Sequence, residues 1–126
     1  MRYLTLQQAL VVGEAVTGID AKTLASISRI ELLDSALHAP QAGSGEEDFY
    51  SDFFMKAAVL CSRIIRNHPL PDGNKRLAWT CLIMFCDLND YPLNPPTMDV
   101  VTTIRSIASY EMTDASLAEW IKSHIE

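Results

Sequence analysis

Within nine residues, His68-Pro69-Leu70-Pro71-Asp72-Gly73-Asn74-Lys75-Arg76 brings together a proton acceptor, a carboxylate, a turn-forming glycine, an amide and two cations. An unperturbed histidine titrates near pH 6.5, so His68 suits general-base removal of a hydroxyl proton at neutral pH. Asp72 is the one acid of the group, and magnesium is commonly held by one or two carboxylates together with substrate phosphates. Gly73 permits a tight turn and a close approach of the backbone to a ligand. Asn74 can donate through its amide, while Lys75 and Arg76 fall in the first turn of an apolar helix predicted to begin at Asn74. A helix N-terminus offers free N–H groups and a positive dipole end, so cations there oppose the dipole unless an anion lies close by. These groups are suited to holding a metal-bound phosphate beside a hydroxyl that is losing its proton. Each also has a plainer reading. Asp72 is a good N-cap, and a lone histidine is commonly a hydrogen-bonded residue at a helix end.

The elements that must position this loop all read as helices. Thr5 caps a first one, with Leu6, Ala9, Leu10, Val12 and Val16 on a period near 3.6 and Gly18 as its stop. Residues 19–29 carry a weak signal, read as a loop with a short turn. A second helix covers about Ile30 to Ala39, ended by Pro40. Residues 40–51 are turn formers, then acids, then Phe49 and Tyr50; the segment reads either as a connection or as a flap over the site. A third helix runs from about Ser51 to Arg66, with Phe54, Ala57, Ala58, Cys61, Ile64 and Ile65 inward, until Asn67 and Pro69 interrupt it. The helix from Asn74 to about Asn89 is apolar nearly all round, which predicts a rod surrounded by other helices. A fifth helix is capped by Thr97 and reaches Ala108. A sixth opens at Thr113 or Asp114, with Ser116 and Glu119 as an alternative capping box. No segment alternates convincingly, so the expected class is all-α: about six helices around a central buried one, in a single domain over residues 1–126.

Bulk properties narrow the function. A hydrophobic fraction of 48% with 21% charged residues describes a globular chain. The net charge of −6 argues against a general nucleic-acid binder. Residues 61–76 nevertheless carry Arg63, Arg66, Lys75 and Arg76 against Asp72 alone. Such an island fits either a small anion or a solvated helix end. No apolar run reaches the roughly 18 residues of a membrane span, and no signal peptide is evident at the start, so a cytoplasmic protein is expected. Cys61, Cys81 and Cys86 form no CxxC pair and lie in apolar helical patterns, as buried reduced thiols do. His38 and His124 are too isolated for a zinc site. GxxxxGK(S/T), GxGxxG and GxSxG are all absent.

HPLPDGNKR resembles the Fic/Doc signature, roughly HxFx(D/E)GNxR, with histidine, acid, glycine, asparagine and final arginine in register. The segment from Glu31 to Pro40 is similar to the early helix of the Doc (death-on-curing) branch, and helix order extends the likeness over nearly the whole chain. The resemblance implies His68 as the catalytic base, Asp72 as the magnesium ligand, and Gly73, Asn74, Lys75 and Arg76 as holders of ATP phosphates. Leu70 departs from the usual phenylalanine, keeping an apolar wedge without the ring. Lys75 stands where adenylylating members carry a second glycine, and Doc members carry this lysine. That implies transfer of the γ-phosphate to a Ser/Thr hydroxyl of a translation factor of the elongation factor Tu type, and so a toxin of a toxin–antitoxin module. Adenylyl transfer by the same residues and a silent nucleotide- or partner-binding module are the alternatives. The self-restraining string (S/T)xxxE(G/N) is not found here. Restraint would then come from a Phd-like antitoxin, docking in a hydrophobic groove beside the loop.

Overall fold

The computed structural model describes residues 1–44, 47–48, 50 and 52–126. Among them are seven α-helices: α1 (Leu6–Thr17), α2 (Ala21–Ile27), α3 (Ile30–His38), α4 (Phe53–Asn67), α5 (Asn74–Leu88), α6 (Thr97–Ala108) and α7 (Asp114–Ser123). A 3-10 turn at Ala39–Gln41 follows α3. Two short strands, β1 (Gly43–Ser44) and β2 (Glu47–Asp48), pair antiparallel within the segment read as a connection or flap. The flap expectation rests partly on Gly45, Glu46, Phe49 and Ser51, which lie outside the described residues. The all-α class holds. No described helix is long and apolar enough to cross a membrane.

The extra helix is α2, where the sequence suggested only a short turn. Asp20 caps it, accepting from the Thr23 N–H at 3.0 Å and from the Thr23 hydroxyl at 2.7 Å. Its one fully buried anchor is Leu24. Seven residues with a single anchor show no periodicity, which is why the pattern did not reveal it. Elsewhere the local signals worked. Thr5 and Gln8 form a capping box on α1, and Gly18 ends it in the left-handed region. Asp52 caps α4. Thr113 caps α7 by accepting from the Ser116 N–H, so Ser116 and Glu119 are not its capping pair. Thr97 begins α6 but does not cap it; Pro96 holds that position.

The buried rod is α4 rather than α5. Helices α3, α5, α6 and α7 all pack against α4, whereas α5 packs mainly against α4 and α1. Ala57, Ala58 and Ser62 are small enough to admit close neighbours, and even Lys56 is enclosed, donating from Nζ to the Pro40 carbonyl at 2.9 Å. A lysine and a serine in the pattern made α4 look amphipathic in the sequence. Conversely, Trp79, Ile83 and Met84 of α5 stay half-buried despite their apolarity. The core is one cluster running from Leu4 to Ile121. Cys61, Cys81 and Cys86 lie inside it, and burial pushes the Cys81 and Cys86 thiols up to about 12 and Cys61 also upward. They are inert packing residues, as expected.

Candidate functional site

The loop starts where α4 stops. His68 is the C-cap of α4, in the left-handed region at φ 51° and ψ 56°, its N–H donating to the Ile64 carbonyl at 3.2 Å. That conformation costs a non-glycine residue about 1 kcal/mol, so the surroundings must enforce it. Arg29, between α2 and α3, does much of this. Its Nη2 donates to the His68 carbonyl at 2.9 Å, and its N–H donates to the Pro69 carbonyl at 2.8 Å. Asn67 adds a bond from Nδ2 to the Leu32 carbonyl at 2.9 Å. The α2–α3 junction thereby grips the backbone on both sides of the imidazole and leaves the His68 side chain exposed. Sequence reasoning assigned Arg29 nothing. It sits in the weakest-signal segment, 39 residues from its partner.

The middle of the loop is clamped from inside. Leu70 is buried, filling the wedge position expected of it. The Asn74 side chain is 4% exposed and bonds both edges of Leu70: Leu70 N–H donates to Oδ1 and Nδ2 donates to the Leu70 carbonyl, each at 2.9 Å. The amide therefore faces the core and does not point out toward a phosphate. What Asn74 can offer an anion is its backbone N–H. Gly73 adopts φ 83° and is the N-cap of α5, with no side chain capping that end. A Cβ there would meet Thr17 Cγ2 at 3.2 Å, Arg76 Nη2 at 3.5 Å and Val16 Cγ2 at 3.8 Å. The glycine is thus required by the turn and by packing on α1. Asp72, one residue too early to cap, is exposed and among the described residues makes no hydrogen bond or ion pair.

The first intrahelical bond of α5 joins the Leu77 N–H to the Gly73 carbonyl at 2.9 Å. The N–H groups of Asn74, Lys75 and Arg76 precede it, uncapped by any side chain. They open on a cleft of about 590 Å3 whose lining includes all six residues singled out from the sequence: His68, Asp72, Gly73, Asn74, Lys75 and Arg76. Lys75 and Arg76 are exposed and, among the described residues, unpaired. The expected basic island is otherwise redistributed. Arg66 borders the cleft but is tied down, donating from Nη2 to the Met112 carbonyl at 3.0 Å, with Nη1 3.6 Å from Asp114 and the guanidinium 4.6 Å from the centre of the Tyr110 ring. Arg63 faces a different hollow, with Ser35 and His38. The remaining walls are Ile65, Ala108 and Tyr110. A larger hollow of about 700 Å3 opens at the opposite end of α5 around Phe53, Asp87 and Tyr91, with no histidine in its lining, and the helix N-terminus it includes, that of α4, is already capped by the Asp52 side chain.

A family model described as the Fic/DOC family matches residues 3–86, which takes in α1 to α4, the loop and most of α5. The chain belongs to the Fic/DOC family. A curated relative, Toxin Doc of Mycolicibacterium smegmatis (strain ATCC 700084 / mc(2)155), is 36% identical over 91 residues, covering 72% of this chain and 67% of that protein. The Fic/DOC match ends before α6. Ala108 and Tyr110, which complete the cleft, come from beyond it, and no sequence motif pointed to either.

Beside the Fic/DOC cleft lies an apolar groove of about 470 Å3 between α1, α5 and α6. Val16, Trp79, Val100, Val101 and Ile104 form its floor, and Lys75, Arg76 and Arg105 its cationic rim. Lys75 and Arg76 border both hollows.

Proposed function

We propose that this Fic/DOC protein is a Doc-like toxin that transfers the γ-phosphate of ATP to a Ser/Thr hydroxyl of a translation factor of the elongation factor Tu type. The observation that carries the reading is the convergence, in one cleft, of an exposed imidazole, a carboxylate and an uncapped helix N-terminus bearing two cations, the carboxylate and cations having no partner among the described residues. The target hydroxyl gives its proton to His68 as its oxygen attacks phosphorus, and ADP departs. The uncapped N–H groups, Lys75 and Arg76 oppose the negative charge spread over the phosphoryl oxygens. Phosphoryl transfer requires chiefly such positioning and charge stabilisation.

Asp72 suits magnesium because, among the described residues, it is neither a cap nor an ion-pair partner. No cluster of three or more metal-ligating side chains occurs among the described residues, so the ion would arrive shared with ATP phosphates. When bound, it would neutralise phosphate charge. Lys75 favours γ-transfer over adenylyl transfer, since its long side chain borders the cleft where a glycine would leave room for further phosphates. A cognate Phd-like antitoxin is the proposed restraint, and the apolar groove sharing Lys75 and Arg76 with the cleft supports a docked segment that reaches the site. Translation arrest in the cytoplasm is the proposed outcome.

Incubation with γ- or α-labelled ATP and candidate translation factors tests the reaction. Label from the γ position on protein, lost in His68→Ala and Asp72→Ala, is the expected result. Label from the α position would replace the kinase with an adenylyl transferase. No label, with growth unaffected by expressing either wild type or His68→Ala, would leave a silent binding module.

A further inference from the structure

We propose that Tyr110 is the platform on which the base of the bound nucleotide stacks. This inference rests on the phosphotransfer reading and adds a specificity-determining residue to it. Tyr110 is 71% exposed, so its ring contributes little to the core. It nevertheless occupies the left-handed region at φ 62°, which is an outlier for a bulky side chain. Only three non-glycine residues among those described do so, and two of them, His68 and Tyr110, line the same cleft. Backbone in such a state persists only where neighbouring contacts enforce it, and it gathers at functional sites.

Here the enforcing contacts are visible. The Tyr110 N–H donates to the Ile107 carbonyl at 3.1 Å, and the N–H groups of Glu111 and Met112 both donate to the Ser106 carbonyl, at 2.9 and 3.2 Å. These bonds fold the chain back after α6 and present the ring at the cleft. Arg66, itself held by Met112, places its guanidinium 4.6 Å from the ring centre. A cation at that distance orients the ring while leaving most of it in solvent. An exposed, oriented aromatic ring beside a phosphate-binding helix end is what a nucleotide needs at its other end. Stacking is tolerant of base identity, because every base has a π-face. The cleft volume, about 590 Å3, lies within the range of sites that enclose a whole small molecule.

Calorimetric titration with Mg-ATP and with magnesium tripolyphosphate tests this directly. Wild type should bind ATP more tightly than tripolyphosphate. Tyr110→Ala should weaken ATP roughly 5- to 150-fold, the range of base–aromatic stacking, and leave tripolyphosphate unchanged. Tyr110→Phe should retain wild-type ATP affinity. Tyr110→Gly removes the ring and relieves the positive φ, so it supplies a folded ring-less variant should the alanine one melt early. Equal wild-type affinity for the two ligands, or a parallel loss of both on removing the ring, would overturn the platform alone. Failure of wild type to bind either ligand would overturn the phosphotransfer reading beneath it.

Discussion

Replacing Asn74 with alanine separates two roles that the sequence could not distinguish. In the structure its amide closes both edges of Leu70, at 2.9 Å each, in a site only 4% exposed. The substitution removes two hydrogen bonds and leaves the N–H and carbonyl of a buried residue without partners. Each net bond is worth about 1 kcal/mol, and each stranded buried group about 1–3 kcal/mol, so a loss of about 2–4 kcal/mol is expected. Unfolding entropy scales with length, and for 126 residues that loss lowers Tm by about 8–15 °C. Thermal unfolding followed by circular dichroism, without nucleotide, measures it. Asn74→Asp should be no better, because it keeps the acceptor for Leu70 N–H but turns a carboxylate oxygen toward the Leu70 carbonyl. A side chain acting only on phosphate would behave oppositely, with ATP affinity falling and the ligand-free Tm unmoved. A Tm for Asn74→Ala within ~2 °C of wild type would refute the clamp.

Three further perturbations follow from the same geometry. His68→Gly and His68→Ala should both abolish transfer, but the glycine variant should be about 1 kcal/mol more stable to urea because it accepts the left-handed backbone; equal midpoints would contradict the strain at φ 51°. Arg29→Ala frees the His68 carbonyl, so kcat should fall by roughly 10- to 100-fold with KM for ATP little changed, and an unaltered kcat would remove Arg29 from the site. Burial raises the thiols of Cys81 and Cys86 to about 12 from 9.0, so the folded state keeps protons that the unfolded chain releases. That stabilisation is whole below pH 9.0 and is lost toward pH 12, at roughly 1.4 kcal/mol per pH unit for each thiol. Urea midpoints between pH 8 and 11 should therefore decline, less steeply in Cys81→Ala, and parallel curves for the two proteins would exclude the Cys81 thiol as a cause.

Most of the helical layout was legible because its signals are local. Thr5, Asp52 and Thr113 cap by bonds reaching three residues along the chain, and left-handed Gly18 ends the first of the helices they begin. Helix α2 escaped because one buried leucine makes no period. The inversion of rank between α4 and α5 escaped because burial is a property of neighbours: Lys56 is enclosed by a carbonyl sixteen residues away, while Trp79 stays half-buried on the floor of the groove between α1, α5 and α6.

By itself the sequence determined which chemical groups this protein owns and that they arrive together, since His68 to Arg76 are contiguous and the helical pattern starts directly after Gly73. Only the tertiary structure decided what each group faces. It turned the Asn74 amide inward, left Asp72 without a partner among the described residues, moved Arg63 away, and brought Arg29 and Tyr110 to the loop from distant segments. The reason is range: capping, turns and helical periodicity act over a few residues, whereas burial and long-range hydrogen bonds exist only after the helices have packed.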